Sequence, residues 1–145
     1  MPERGTLLAI DYGTRKTGLD VGHRLTASAR PLEPIRYRQP AGLLQALDGV
    51  IRQWQPDCII VGLPLAGDGS ETPMSRQVRQ FARSLAETVP ECDIRLHDER
   101  MSSEQAARRF AERRSQGRAR RRDAERLDSM AAAVILESWM QTHAA

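Results

Sequence analysis

The chain has 145 residues, of which 40% are hydrophobic and 28% charged, enough to bury one core and too polar for a membrane protein. No apolar run approaches the length that crosses a bilayer, and the opening Met1-Pro2-Glu3-Arg4-Gly5 with the short Leu7–Ile10 run lacks a signal-peptide core, so a cytoplasmic location without membrane contact is expected. The net charge is +3, yet nine arginines face only three acids between Arg108 and Arg126, a local +6 that leaves −3 for the rest and marks a basic segment suited to polyanions.

In chain order, Leu7-Leu8-Ala9-Ile10 reads as a short buried strand with Asp11 at its end, and Gly13 allows the sharp turn that follows. Thr17–Gly22 is expected as a second strand, joined to the first so tightly that the pair must be antiparallel. A third strand is expected over Leu25–Ile35, with Pro31 and Pro34 confining its second half to an edge. After a polar loop from Arg36 to Gly42, Leu43, Leu44, Leu47, Val50, Ile51 and Trp54 recur at helical spacing until Pro56. Cys58-Ile59-Ile60-Val61 reads as a strand buried on both faces, in parallel pairing.

The glycine-bearing loop Pro64–Thr72 precedes a helix capped by Thr72 with Pro73 in its first turn. Cys92–His97 is the last expected strand, with Asp98-Glu99-Arg100 at its end. Ser102, with Gln105 three residues on, suggests a capping box for another helix. Ser115–Arg122 has dense like charge and no apolar period, and is expected to be a disordered arm. A final helix is expected over about Asp123–Trp139, burying Leu127, Ala131, Val134, Ile135 and Trp139. Cys58 and Cys92 are too few and too far apart for a disulfide framework or zinc site, and read as free thiols. The pattern is one domain over 1–145: an α/β fold with a mixed sheet, helices on both faces, and function at the carboxyl ends of the strands.

Three carboxylates stand out. Asp11 and Glu99 fall at strand ends that share one sheet edge if the two strands are parallel. Asp128 lies three, four and seven residues before Ala131, Ala132 and Ile135, small or apolar residues that let its helix approach the sheet. Three like charges gathered together raise one another's proton affinity, and hard, oxygen-seeking Mg²⁺ or Mn²⁺ relieves that repulsion. Spacing alone leaves other readings open: Asp11 as a turn former, Glu99 as an exposed acid paired with Arg100, Asp128 as a solvated helix residue, and Asp98 in place of Glu99. Asp20 either lies near Asp11 or faces water, and His97 either positions a water or is structural.

Four stretches, taken together and in order, resemble the YqgF family of ribonuclease-H-like proteins. They are Ile10-Asp11-Tyr12-Gly13-Thr14-Arg15 through Gly18, Val61-Gly62-Leu63-Pro64 with Gly69, Asp98-Glu99-Arg100-Met101-Ser102-Ser103, and Leu127-Asp128-Ser129-Met130-Ala131-Ala132. The resemblance implies a five-stranded mixed sheet of order 3-2-1-4-5 and a catalytic, metal-binding triad of Asp11, Glu99 and Asp128, with a two-metal Mg²⁺ or Mn²⁺ site. It implies a nuclease acting on structured nucleic acid, either the 5′ end of pre-16S rRNA, with ribosome-assembly partners, or four-way DNA junctions. Thr14, Arg15, Lys16, Arg100, Arg118, Arg120, Arg121 and Arg122 are the expected nucleic-acid contacts. Asp20 departs from the family, which usually has a small residue there. Both monomer and homodimer are open; paired cuts in a junction would favour the dimer. Two other classes compete: an actin- or Hsp70-like ATPase, because Asp-x-Gly-Thr also resembles that phosphate loop, and a non-catalytic assembly factor.

Overall fold

The computed structural model describes residues 5–26, 28–101 and 130–143. Six strands form one sheet: β1 (Thr6–Asp11), β2 (Lys16–His23), β3 (Ser28–Pro31), β4 (Ile35–Arg36), β5 (Cys58–Leu63) and β6 (Asp93–Asp98), in the order β3-β2-β1-β5-β6 with β4 also pairing β2. The β1–β2, β2–β3 and β2–β4 pairs are antiparallel, whereas β1–β5 and β5–β6 are parallel. Helices α1 (Pro40–Trp54) and α2 (Pro73–Thr88) connect into and out of β5, and α3 (Met130–Thr142) is the last described helix. The expected order 3-2-1-4-5 therefore holds once the short β4 is set aside.

Side chains alternate across each strand, and the two faces have separate cores. Leu8, Ile10, Leu19, Ile59 and Val61 pack with Leu43, Leu47 and Ile51 of α1 and Val78, Phe81 and Leu85 of α2. Leu7, Ala9, Cys58 and Ile60 pack with Ala132, Ile135, Leu136 and Trp139 of α3. Every residue of β5 is buried, which explains its continuous apolar run. Cys58 and Cys92 are free. Thr72 caps α2 as expected, and Ser75 completes the box: the Ser75 amide donates to Thr72 Oγ1 at 2.9 Å and the Thr72 amide to Ser75 Oγ at 2.7 Å.

Several expectations need correction. The sheet has six strands, not five. The strand foreseen over Leu25–Ile35 is two pieces, β3 and β4, because Pro31 and Pro34 cannot donate to a continuous ladder. Leu25 stands in the preceding turn, 80% exposed. The foreseen loop from Arg36 to Gly42 already contains the end of β4 and the start of α1 at Pro40. The last helix extends beyond Trp139 to Thr142, and its buried residues are Ala132, Ala133, Ile135, Leu136, Glu137, Ser138 and Trp139, while Ala131 is exposed and Val134 half-buried. Its apolar residues from Met130 to Leu136 run nearly all round the helix, so their period does not select a face. The helix foreseen at Ser102, the arm 115–122 and the helical start at Asp123 lie outside the described residues. Among the described residues, no helix is long and apolar enough to cross a membrane.

Candidate active site

Asp11 closes β1, its Cα opposite that of Gly18 in β2. Leu7 and Ala9 face α3, so the period of two puts Asp11 on that same side, beyond the core and half-buried. The turn behind it depends on Gly13: a Cβ there would stand 2.2 Å from the Lys16 carbonyl oxygen. The Gly13 amide and carbonyl both meet Thr17 Oγ1 at 3.4 Å, and the carbonyl accepts the Tyr37 hydroxyl. Burial, followed by the neighbouring Tyr12, pushes the Tyr37 phenol up to about 12.

Glu99 opens a single 3-10 turn directly after β6. Because β1, β5 and β6 run parallel, the ends of β1 and β6 lie at one sheet edge, with Gly62 of β5 between them. A Cβ at Gly62 would approach Glu99 Cγ to 3.2 Å and Ile135 Cδ1 to 2.4 Å. The missing side chain thus leaves room for Glu99 over the sheet and for α3 against it. Burial raises the proton affinity of Asp11. Burial, then the charge on Asp11, then that on Asp98, pushes the Glu99 carboxyl up to about 6. Two desolvated carboxylates, one of them raised further by the charge of the other, form a hard oxygen donor set, which fits Mg²⁺ or Mn²⁺. Among the described residues no group of three His, Cys, Asp or Glu side chains gathers to hold a metal; the expected third acid, Asp128, lies outside them.

Asp98 and Glu99 differ in their partners. Asp98 takes a forked contact from Arg100, whose Nη2 lies 2.7 Å from Asp98 Oδ2. That hydrogen bonding holds the Asp98 carboxyl below its ordinary range. Arg100 Nη1 also donates to the Gly67 carbonyl at 3.3 Å and packs over Gly69, whose φ of +88° suits glycine. Arg100 therefore ties the end of β6 to the loop after β5, while its guanidinium remains partly exposed. His97 is buried and lies 2.9 Å from Ser138 Oγ, which makes it a link between β6 and α3. Asp20 is wholly buried opposite Ala9, on the α3 side of the sheet, so it does not face water.

Thr14 and Arg15 are exposed in the turn after Asp11, and Lys16, half-buried, begins β2 against Arg36. Arg118, Arg120, Arg121 and Arg122 lie outside the described residues. Sequence reasoning gave Gly62 no role beyond its place in a motif, and passed over Tyr37 beside Tyr12. The period of two that turns Asp11 toward α3 also turns Tyr12 toward α1 and α2, a signal that was available.

A family model described as RuvX, Holliday junction resolvase, matches residues 5–142. Over 136 residues the chain is 46% identical to a protein of Xanthomonas axonopodis pv. citri provisionally named pre-16S rRNA nuclease, covering 94% of this chain and 87% of the relative. A Xanthomonas campestris pv. campestris relative of the same name is 43% identical over 146 residues, covering 97% and 94%. The fold is similar to that of Thermus thermophilus RuvC in complex with a Holliday junction substrate, at a TM-score of 0.64 and 14% identity, covering 98% of each chain. It is also similar to the yeast mitochondrial Holliday junction resolvase Ydc2, at a TM-score of 0.57 and 11% identity, covering 93% of this chain and 77% of the other.

Proposed function

The chain belongs to the RuvX (YqgF) family, and from that premise we propose that it is a metal-dependent endonuclease that hydrolyses phosphodiesters of structured nucleic acid, with the 5′ end of pre-16S rRNA as its substrate. The observation that carries the chemistry is the placement of Asp11 and Glu99 at the carboxyl ends of parallel strands, where burial raises the proton affinity of both and the charge on Asp11 adds to it at Glu99. The names of the 43–46% identical relatives carry the choice of substrate.

In this reading Asp11 and Glu99 hold Mg²⁺ or Mn²⁺, and Asp128 supplies the third carboxylate. The bound metal would supply a water activated toward attack on phosphorus and charge stabilisation at the leaving oxygen. The protein's part is to fix the donors: β1 and β6 place the two carboxylates, Gly62 clears the space between them, and α3 closes one side. Arg100 neutralises Asp98, so that Asp98 does not add a free charge. Thr14, Arg15 and Lys16, in the turn that leaves Asp11, are positioned to meet phosphates, and the arginines from Arg118 to Arg122 add sequence-independent attraction. The protein acts in the cytoplasm.

The family description favours a second reading, resolution of four-way DNA junctions. A side-by-side assay separates the two: precursor 16S rRNA and a four-way DNA junction, each with Mg²⁺, Mn²⁺ or EDTA. Metal-dependent cleavage at the rRNA 5′ end is expected. Paired cuts in the junction with intact rRNA would give the second reading, and no cleavage of either would refute both.

A further inference from the structure

On the face of the sheet opposite α3, a cleft of about 280 Å³ opens between α1, α2 and the end of β1. Its apolar wall is Tyr12, Tyr37, Leu43, Leu44 and Phe81, and Gln77, Gln80 and Ser84 of α2 stand along the other side. The Tyr12 and Phe81 rings lie 4.7 Å apart at 30°, and Tyr12 and Tyr37 pack on the same core. Tyr37 in turn is held by the Gly13 carbonyl. The aromatic wall is thereby tied to the turn that leaves Asp11.

We propose that this cleft receives one unstacked nucleobase of the nucleic-acid strand that enters the site of Asp11 and Glu99, a proposal that rests on the nuclease reading above. Size is the first argument: the volume falls at the small end for ligand sites and admits a single planar ring system rather than an extended ligand. Chemistry is the second. Aromatic walls give a base a stacking surface, and side-chain amides meet its hydrogen-bonding edge. Gln77 and Gln80 are exposed and line the cleft.

Charge is the third argument. Exposed Arg38 follows Tyr37, and exposed Arg76 and Arg83 stand four residues before and three after Gln80 on the same side of α2. A base in the cleft would bring its phosphates to this basic rim. Position is the fourth: Tyr12 lines the cleft and is bonded in the chain to Asp11, so the cleft and the acids flank one sheet edge from opposite faces. A strand passing over that edge presents a base to one side and a phosphate to the other. Such a cleft selects substrates with an unpaired nucleotide beside the cut, because a paired base has its edge occupied.

The test measures binding in EDTA to a labelled duplex with a single bulged nucleotide, and to the same duplex with an abasic residue at the bulge. Wild-type protein is expected to bind the base-containing probe about tenfold more tightly. Ser84→Trp, which fills the cleft, and the exposed double change Gln77→Ala/Gln80→Ala should each reduce that preference and bind the abasic probe as wild type does. Should Ser84→Trp fail to fold, the double variant decides. Equal wild-type affinities for the two probes overturn the proposal, as does a preference undiminished in the folded variants. Cleavage of both probes with Mn²⁺ is scored separately. A base preference without any cleavage would leave the cleft standing and remove the nuclease reading, and cleavage without a base preference would do the reverse.

Discussion

Glu99 occupies the space that a side chain on Gly62 would need: a Cβ at position 62 would stand 3.2 Å from Glu99 Cγ, and 2.4 Å from Ile135 Cδ1 on the other flank. One missing methyl group therefore serves both the carboxylate and the seating of α3. Gly62→Ala should force Ile135 and Glu99 to shift, at a cost of about 1–3 kcal/mol from overpacking. Activity should fall further than the loss of folded protein explains, because Glu99 is displaced from Asp11. Thermal unfolding and kcat on matched folded protein check this; unchanged values for both would mean that the close approach is not binding on the site.

Asp11→Asn should abolish cleavage while leaving the fold and nucleic-acid binding in EDTA nearly intact. The position is half-buried at a strand end rather than in the core, and asparagine has nearly the same shape. The change also removes one of the charges that raise Glu99, so the Glu99 carboxyl should titrate below about 6 yet stay above its ordinary value, because burial is the larger cause. Carboxyl carbon shifts followed by NMR across pH 3–8 read this directly. Wild-type cleavage by the variant would remove Asp11 from the metal site.

Without metal, the same shift makes stability depend on pH. The folded protein keeps a proton on Glu99 up to about 6, whereas the unfolded chain releases it near the ordinary 4.5. Between those values the native state holds more protons, so this group's contribution is fully present below 4.5 and is lost as pH rises through about 6. Metal takes the proton's place on the same oxygens. Added Mn²⁺ should therefore raise Tm more at pH 7.5 than at pH 5, and should move the acid limb of activity to lower pH. Equal Tm gains at the two pH values would contradict the assignment.

Most strands and the strand-end acids were legible because each rests on local pattern, whereas the strand order was implied by the family resemblance. Four apolar residues before Asp11 and four before Gly62 mark strands covered on both sides. Pro56 and Pro90 mark helix ends, with α1 ending at Trp54 and α2 at Thr88. What escaped was set by contacts distant in sequence. Asp98 and Glu99 are adjacent and chemically alike, and their partners separate them: Arg100 engages Asp98, while Glu99 lies against Gly62 and feels the charge of Asp11. Asp20 looks like a polar residue of a half-exposed strand, yet α3, more than a hundred residues later, covers that face. The cleft joins Tyr12, Tyr37 and Phe81, whose separation along the chain hides any shared role.

The arginine-rich segment offers a test that depends on charge alone. Nine arginines against three acids between Arg108 and Arg126 concentrate positive charge in a chain that is otherwise net negative. If Arg118, Arg120, Arg121 and Arg122 each meet one phosphate, binding releases the counterions condensed there, and affinity falls with salt in proportion. Replacing all four with alanine should weaken binding and reduce the log–log salt slope on duplex substrates by roughly 3–4 units, and by less on single strands. The loss should be similar across sequences of equal length, since phosphate contacts position a substrate without reading it. Turnover at saturating substrate should change much less, because Asp11 and Glu99 are untouched. Titrations of wild type and the fourfold variant at several salt concentrations decide the matter. Parallel lines would mean that these arginines do not touch the substrate, and would shift attention to Thr14, Arg15 and Lys16 as the groups that engage its phosphates.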